Sequence, residues 1–202
     1  MKLIAVRNPQ RLVPDWLCPL WITPSPFLTT QISLTHSLSE TFVAKPEIRN
    51  AGIVDVTFGE NVTVVQPVNL YGCTIGDASF VGPFVEIQKG VTIGRRCRIQ
   101  SHSFICELVT IGDECFISHG AMFINDRFVT GGPAGKPDLW RATRLGDRVS
   151  VGTNATILPV TICDQVVIGA GAVVTKDITE SGIYVGNPAR LLRRLENCSV
   201  RP

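Results

Sequence analysis

Two histidines, His102 and His119, stand in the middle of the chain among small and apolar residues. A neutral imidazole can accept a proton or a hydrogen bond near pH 7, so each histidine is a candidate site residue. Asn125 and Asp126 follow them, and their amide and carboxylate groups are suited to orienting a polar substrate. A glycine-rich stretch comes next (131–135). A single turn histidine is usually solvated, so a site requires a fold that brings these residues together.

The chain around the histidines repeats every six residues. From Ile75 to Phe123 every sixth residue is aliphatic or Phe, the fifth residue of each hexad is small or branched, and the second is often Gly. Each hexad therefore fits one short strand and one turn. Three hexads make an 18-residue coil, and stacked coils form a parallel β-helix. The frame runs through 18 hexads that start between Phe58 and Val174, which predicts about six coils.

Three irregularities of the repeat agree on one corner of the coil. The steps from Leu70 to Ile75 and from Ile157 to Ile162 are five residues long, and a 20-residue excursion covers residues 125–144. All three fall at the corner that closes the third side. A β-sandwich, in which irregular loops separate alternating strands, does not predict this agreement.

The residues that point outward differ between the three sides of the coil. One side carries threonines, and the other two carry large apolar groups, namely Phe80, Phe116, Phe104 and Met122. Apolar groups of this size on two adjacent sides favour burial against other subunits. A prism that buries two adjacent sides can do so around a threefold axis, so the pattern predicts a homotrimer.

The 18-residue coil brings the candidate residues to two neighbouring corners. His102 and His119 lie on adjacent coils at the corner between the two apolar sides. One corner further on, Asn125 lies above Glu107, and Glu107 lies above Lys89. Two histidines beside a predicted interface and a long loop favour a functional site, since long loops in compact domains are usually functional.

Composition excludes several classes of protein. The chain has 202 residues, and its 19 basic side chains nearly balance 17 acidic ones, which argues against a nucleic-acid-binding surface. Seven cysteines, an odd number without a CxxC pair, fit reduced thiols and predict a cytoplasmic protein.

The N-terminal part of the chain falls outside the repeat. Residues 16–39 contain no Asp, Glu, Lys or Arg, but Pro19, Pro24 and Pro26 interrupt them, so no membrane span is expected. We predict an irregular extension over residues 1–45 and a β-helix domain over 46–182. A C-terminal segment over 183–202 completes the predicted organisation.

The repeat and the closing segment "VVIGAGAVVTKDITESGIYVGNPARLLRRL" resemble the hexapeptide-repeat acyltransferases over about residues 50–196. The strings "GPFVEIQKGVTIG", "IQSHSFICELVTIGD" and "HGAMFINDRF" are similar to the branch that N-acetylates nucleotide-linked 3-amino sugars, the group related to the WxcM N-terminal domain. The resemblance implies a left-handed β-helix trimer with active sites between neighbouring subunits. It also implies acetyl-CoA as co-substrate and a dTDP- or UDP-linked amino sugar as acceptor.

Within this resemblance, His119 is the candidate catalytic base. Because a free amine is already a good nucleophile, positioning alone can suffice, and His119 would then only bind the substrate. The other residues expected to bind the sugar substrate are His102, Glu107, Asn125 and Asp126.

The resemblance places coenzyme A along the later coils. Gly152 and Ala170 fall at turns where small side chains let the pantetheine arm approach the backbone. Lys176 and Arg190 match the family's "TKD" and "NPAR" positions and would meet the phosphates. Residues 188–196 are expected to form a short helix, with proline suited to its first turn.

Three alternatives remain open at the level of sequence. An O-acetyltransferase of a sugar or small-molecule hydroxyl would need His119 as an obligatory base. A zinc enzyme on the same fold would need three converging histidines, and His36 lies outside the repeat, so no metal is expected. A non-catalytic scaffold would have no affinity for acetyl-CoA.

Overall fold

A computed structural model describes residue 47 and residues 51–195, and the predicted extension over residues 1–45 lies outside this part. The described chain forms 21 short strands in three sheets. Sheet A contains β1 (Ile53–Val54), β4 (Asn69–Tyr71), β7 (Glu86–Ile87), β10 (Phe104–Ile105), β13 (Met122–Phe123), β16 (Thr156–Ile157) and β19 (Val173–Val174). Sheet B contains β2 (Thr57–Phe58), β5 (Thr74–Ile75), β8 (Thr92–Ile93), β11 (Val109–Ile111), β14 (Thr143–Leu145) and β17 (Thr161–Ile162). Sheet C contains β3 (Thr63–Val64), β6 (Phe80–Val81), β9 (Arg98–Ile99), β12 (Phe116–Ile117), β15 (Ser150–Val151), β18 (Val166–Ile168), β20 (Gly182–Val185) and β21 (Arg190–Arg193).

From β1 to β19 successive strands go to sheets A, B and C in turn, and each strand from β1 to β16 pairs in parallel with the strand three positions later. This arrangement is the predicted parallel β-helix. The 18 predicted hexads correspond to β2 through β19. The structure adds β1 before them and β20 and β21 after them.

The core is a column of aliphatic side chains inside the prism. The first residue of each central hexad is fully buried, as at Ile93, Ile99 and Ile105. The fifth residue of the preceding hexad lies two positions earlier, so it points to the same inner side of the strand. Phe58, in the first coil, is 39% exposed, since no coil lies beyond it among the described residues. The hexad pattern is therefore confirmed for the central coils.

The predicted corner assignment is also confirmed. The five-residue steps lead from β4 to β5 and from β16 to β17, and the excursion leads from β13 to β14, so all three lie between sheets A and B. The excursion contains one 3-10 turn, η1 (Pro137–Leu139). It ends earlier than expected, because Thr143 already pairs with Val109 in sheet B.

The prediction of a C-terminal helix over residues 188–196 is wrong. Residues Arg190–Arg193 form β21, which pairs antiparallel with β20 at the end of sheet C. The four residues between the strands, 186–189, close a β-hairpin. A helix of this length is marginal in water, whereas β21 satisfies the free edge of β20 with backbone hydrogen bonds.

Close stacking of the coils predicts that Gly94→Ala destabilises the β-helix. A Cβ at Gly94 would lie 2.5 Å from the carbonyl oxygen of Gly112 on the next coil. We expect a loss of about 1–3 kcal/mol in the free energy of unfolding, measured by urea denaturation. Gly132→Ala is the control, because a Cβ there meets nothing within 4 Å. Equal stability of the two variants would contradict the prediction.

Candidate active site

The corner between sheets C and A holds both candidate histidines, in the turns that follow β9 and β12. The exposed His119 is held by the coils on either side. Its Nδ1 lies 2.7 Å from the Oγ of Ser101, and its carbonyl accepts the backbone N–H of Asn154 at 2.9 Å. When Nδ1–H donates to Ser101, the lone pair of Nε2 is left to accept a proton. The contact can therefore hold His119 as a base.

His102 occupies the same corner but has different partners. Its ring stacks on Phe84 of the preceding coil, with centroids 4.9 Å apart and planes 12° apart. Its backbone N–H donates to the carbonyl of Pro83 at 3.3 Å. The two histidines thus lie on adjacent coils, as predicted, and each of their side chains contacts a residue 18 positions earlier.

The outer face of sheet A leads from this corner to the second predicted group. The Asn125 side chain donates to the carbonyl of Glu107 at 3.3 Å, so the predicted stacking is present. Gln88 donates to Glu86 at 3.0 Å and accepts the backbone N–H of Glu107 at 3.3 Å. Burial raises the pKa of Tyr71, and the Glu86 and Glu107 carboxylates raise it further. Two carboxylates therefore lie at this end of the face, with Lys89 in the turn that follows β7.

Asp126 organises the excursion. One carboxylate oxygen accepts the backbone N–H of Phe128 at 2.8 Å, and the other accepts that of Ala134 at 2.7 Å. Both oxygens are thus already engaged within the loop. Substrate binding by Asp126 stays a prediction. The two hydrogen bonds within the loop are enough to explain an aspartate at this position.

Two of the expected coenzyme A contacts meet at the C-terminal end of the prism. Lys176 and Arg190 line one open cleft of about 330 Å³, which also includes Asp177 and Tyr184. Both cations are exposed. The cleft therefore offers two positive charges to an anionic group.

The other two expected contacts lie at the corner between sheets C and A. Ala170 is exposed there, one coil beyond Gly152. A Cβ at Gly152 would lie 2.5 Å from the backbone nitrogen of Ala170. Stacking of the coils accounts for this glycine, so access for a pantetheine arm is not needed to explain it.

Sequence reasoning missed two residues of this corner, Ser101 and Phe84. Each stands 18 positions before a candidate histidine, and that spacing could have identified both. The spacing fixes which turns stack, whereas the direction of each side chain depends on its rotamer.

The described cysteines lie in or against the hydrophobic core. Five of them are free thiols, and burial raises the pKa of Cys106 to about 12. Within residues 51–195 no group of three or more His, Cys, Asp or Glu side chains is placed to hold a metal ion. That part of the chain also contains no helix long and apolar enough to cross a membrane.

Two family models match the chain. The model for the bacterial transferase hexapeptide (six repeats) matches residues 72–107, and the model for the hexapeptide repeat of succinyl-transferase matches residues 142–176. These matches confirm the hexapeptide repeat from which the fold was predicted.

Curated relatives include the bifunctional protein GlmU of Clostridium beijerinckii, which is 34% identical over 147 residues, 68% of this chain and 32% of the relative. GlmU of Synechococcus elongatus is 29% identical over 150 residues, 73% of this chain and 30% of the relative. The chain thus spans about a third of the length of these relatives.

Two solved structures have a similar fold. A hexapeptide-repeat-containing acetyltransferase from Vibrio cholerae, complexed with acetyl coenzyme A, matches with a TM-score of 0.54 and 26% identity over 62% of this chain and 72% of that one. A variant of AntD, an N-acyltransferase from Bacillus cereus in complex with dTDP and coenzyme A, matches with a TM-score of 0.62 and 23% identity. The AntD match covers 71% of this chain and 86% of that one, and at this identity it shows the fold alone.

The contacts of Asp126 predict that Asp126→Asn loosens the excursion. The amide group replaces one carboxylate oxygen with a donor, so the N–H of Ala134 or of Phe128 loses its acceptor. We expect amide hydrogen exchange in residues 126–135 to become roughly tenfold faster, since hydrogen bonds to charged groups contribute about 1.5–3 kcal/mol. Asp138→Asn in the same loop is the control. Unchanged exchange in Asp126→Asn would contradict the organising role.

Proposed function

We propose, from the premise that this chain is a hexapeptide-repeat β-helix protein, that it transfers the acetyl group of acetyl-CoA to the amine of a dTDP- or UDP-linked amino sugar. The observation that carries the proposal is the 2.7 Å contact between the Oγ of Ser101 and the Nδ1 of His119, which leaves Nε2 able to accept a proton. Acetyltransferase neighbours bound to acetyl-CoA or coenzyme A support the donor. The sugar acceptor rests on the resemblance of the sequence.

His119 would act on the acceptor amine. The amine nitrogen attacks the thioester carbonyl carbon, a C–N bond forms, and Nε2 of His119 takes the proton that the nitrogen loses. The C–S bond then breaks, and coenzyme A leaves as a thiolate that is protonated. A base in hydrogen-bond reach contributes about 10² to 10⁴-fold to such a step.

The acidic face would select an amine over a hydroxyl. Glu86 and Glu107 place two carboxylates on this face, and two negative charges favour an ammonium group that approaches from solvent. The ammonium gives one proton to solvent, and the neutral amine is the form that attacks, with His119 taking the second proton. This charge is the reason to prefer N-acetylation to the O-acetyltransferase alternative.

Coenzyme A would lie along the later coils. Lys176 and Arg190 are suited to its phosphates, and the exposed turn at Ala170 lies between their cleft and His119. Three strand spacings in sheet C separate the coil of His119 from β20, which is about 14 Å. An extended thioester arm along this corner would bring its acetyl group to His119.

The protein would act as a homotrimer with active sites shared between subunits. On sheets A and C, Phe116 is 38% and Met122 is 40% exposed, while Phe104 is half-buried. The guanidinium of Arg98 lies 5.0 Å from the Phe80 ring centroid. Burial of these two sides would enclose the corner of His119. Sedimentation of the wild type as a stable monomer would contradict this assembly.

The proposed setting is the cytoplasm, where acetyl-CoA is available and thiols stay reduced. The acetylated nucleotide sugar would be a precursor of surface polysaccharide, including lipopolysaccharide.

The base role predicts a large kinetic effect of His119→Ala. With acetyl-CoA and a panel of dTDP- and UDP-linked amino sugars, we expect kcat to fall about 10² to 10⁴-fold. The affinity for acetyl-CoA, measured by calorimetry, should change little. A near-normal rate would leave His119 as a binding residue and make the O-acetyltransferase alternative untenable. No transfer to any member of the panel by the wild type would overturn the proposed acceptor.

The cationic cleft predicts that Lys176→Ala and Arg190→Ala each weaken acetyl-CoA binding about tenfold, because each removes a charged contact to phosphate. Each variant should lose less affinity for an acetyl-pantetheine thioester, which lacks the nucleotide phosphates. Arg144→Ala is the control, since Arg144 is an exposed cation on sheet B. Equal losses for both thioesters would contradict phosphate recognition.

A further inference from the structure

A second cleft lies at the corner between sheets C and A, near the N-terminal end of the β-helix. It has a volume of about 260 Å³, and its lining includes Phe84, Pro67, Asn69 and Glu86. These residues belong to the coils that precede those of His102 and His119. The cleft is therefore on the opposite side of His119 from the cleft of Lys176 and Arg190.

The Phe84 ring offers a stacking surface in this cleft. His102 covers one face at a centroid distance of 4.9 Å, yet the residue is 56% exposed. The ring therefore keeps accessible surface, and it lines the cleft together with Pro67. A flat aromatic ligand can stack there, because offset stacking is favourable at this ring spacing.

Phe84 occupies a turn position with left-handed backbone. Its φ angle is 60°, and the same position on other coils holds His102 at 63° and Asn154 at 56°. Gly120 and Gly171 adopt φ of 66° there. Positive φ is common at the corners of this prism, so the conformation belongs to the architecture. An exposed phenyl ring in that conformation is not required by the architecture, which favours a role in binding.

The polar groups of the cleft match one edge of a pyrimidine. Asn69 and Glu86 are paired on neighbouring strands and are both half-buried. Uracil and thymine present two carbonyl oxygens on either side of an N3–H. A carboxylate accepts from that N3–H, and the amide of Asn69 can donate to a carbonyl. Gln88 donates to the Oε1 of Glu86 at 3.0 Å and steadies the carboxylate.

We infer that this cleft is a subsite for the uracil or thymine base of the nucleotide-linked acceptor, with Phe84 stacked on the base and Glu86 and Asn69 bound to its edge. The inference rests on the proposed function and adds the recognition of the base. It also assigns an order along the corner. The acceptor enters from the N-terminal coils, acetyl-CoA lies along the C-terminal coils, and the two meet at His119.

The carboxylate of Glu86 gives the subsite a distinctive specificity. Cytosine carries an acceptor at N3, which a carboxylate repels. Calorimetry with UDP, dTDP and CDP should therefore show at least about tenfold weaker binding of CDP to the wild type, since unpaired polar groups in a site are costly. Glu86→Gln can donate or accept, so the preference should fall below about threefold. An unchanged preference in this variant would overturn the role of Glu86.

The role of Phe84 is tested by a loss of affinity that does not depend on which pyrimidine is bound. Phe84→Ala should weaken UDP and CDP alike by roughly 10- to 100-fold, the range measured for loss of base stacking. Phe84→Tyr keeps the ring and should stay within about threefold of the wild type. Phe128→Ala, at a residue of similar exposure (54%), is the matched control. Thermal unfolding of each variant establishes that it is folded.

The outcomes separate the subsite from the proposed function. Wild-type affinity for UDP in folded Phe84→Ala overturns the subsite, while acetyl transfer to a nucleotide-linked amino sugar by the same variant leaves the proposed function standing. Weaker acetyl-CoA binding in Phe84→Ala would place coenzyme A in this cleft and would also overturn the inference. A wild type that binds acetyl-CoA but no pyrimidine nucleotide up to millimolar concentration overturns both proposals.

Discussion

The backbone hydrogen bonds between successive coils are the interaction on which the whole structure depends. Strands of two to four residues are too short to be stable alone, and each is held by the coil before and the coil after it. The N–H of Gly82, for example, donates to the carbonyl of Ile99 at 2.8 Å, and the N–H of Glu86 donates to that of Ser103 at 3.0 Å. These bonds keep the coils in register, so small residues are required wherever one backbone passes close to the next. Gly94 and Gly152 illustrate this requirement.

The same register builds the candidate site. Residues about 18 positions apart become neighbours, as in Ser101 with His119 and Glu107 with Asn125. Functional groups far apart in sequence are thus brought together by repetition, without a specially shaped loop. The constraint also explains why the corner between sheets C and A can vary its residues, since a turn side chain that points outward does not disturb the stacked core.

Most of the fold could be predicted because the hexad pattern is redundant. A hexad that departs from the pattern does not hide it, because the neighbouring hexads keep the six-residue period. The five-residue step at Leu70 and the excursion independently identify the same corner. The C-terminal strand could not be predicted this way, because β21 lies outside the repeat and its conformation follows from the free edge of β20. Candidate site residues could be placed on corners, yet their contacts depend on rotamers and loop closure. Asp126, for example, binds Phe128 and Ala134 of its own loop.

In the proposed reaction, the separation of charge along the prism would help to place two different substrates. The chain as a whole is nearly neutral, with a formal net charge of +2, so long-range attraction does not distinguish the substrates. Local charge does, because Glu86 and Glu107 lie on a face near the early coils, whereas Lys176 and Arg190 share a cleft at the last coil. In the proposed reaction the cationic end would attract the phosphates of coenzyme A. The acceptor carries its own diphosphate, so the carboxylates would act on its amine and not on the whole molecule. The corner of His119 lies between these regions, where an amine and a thioester can meet.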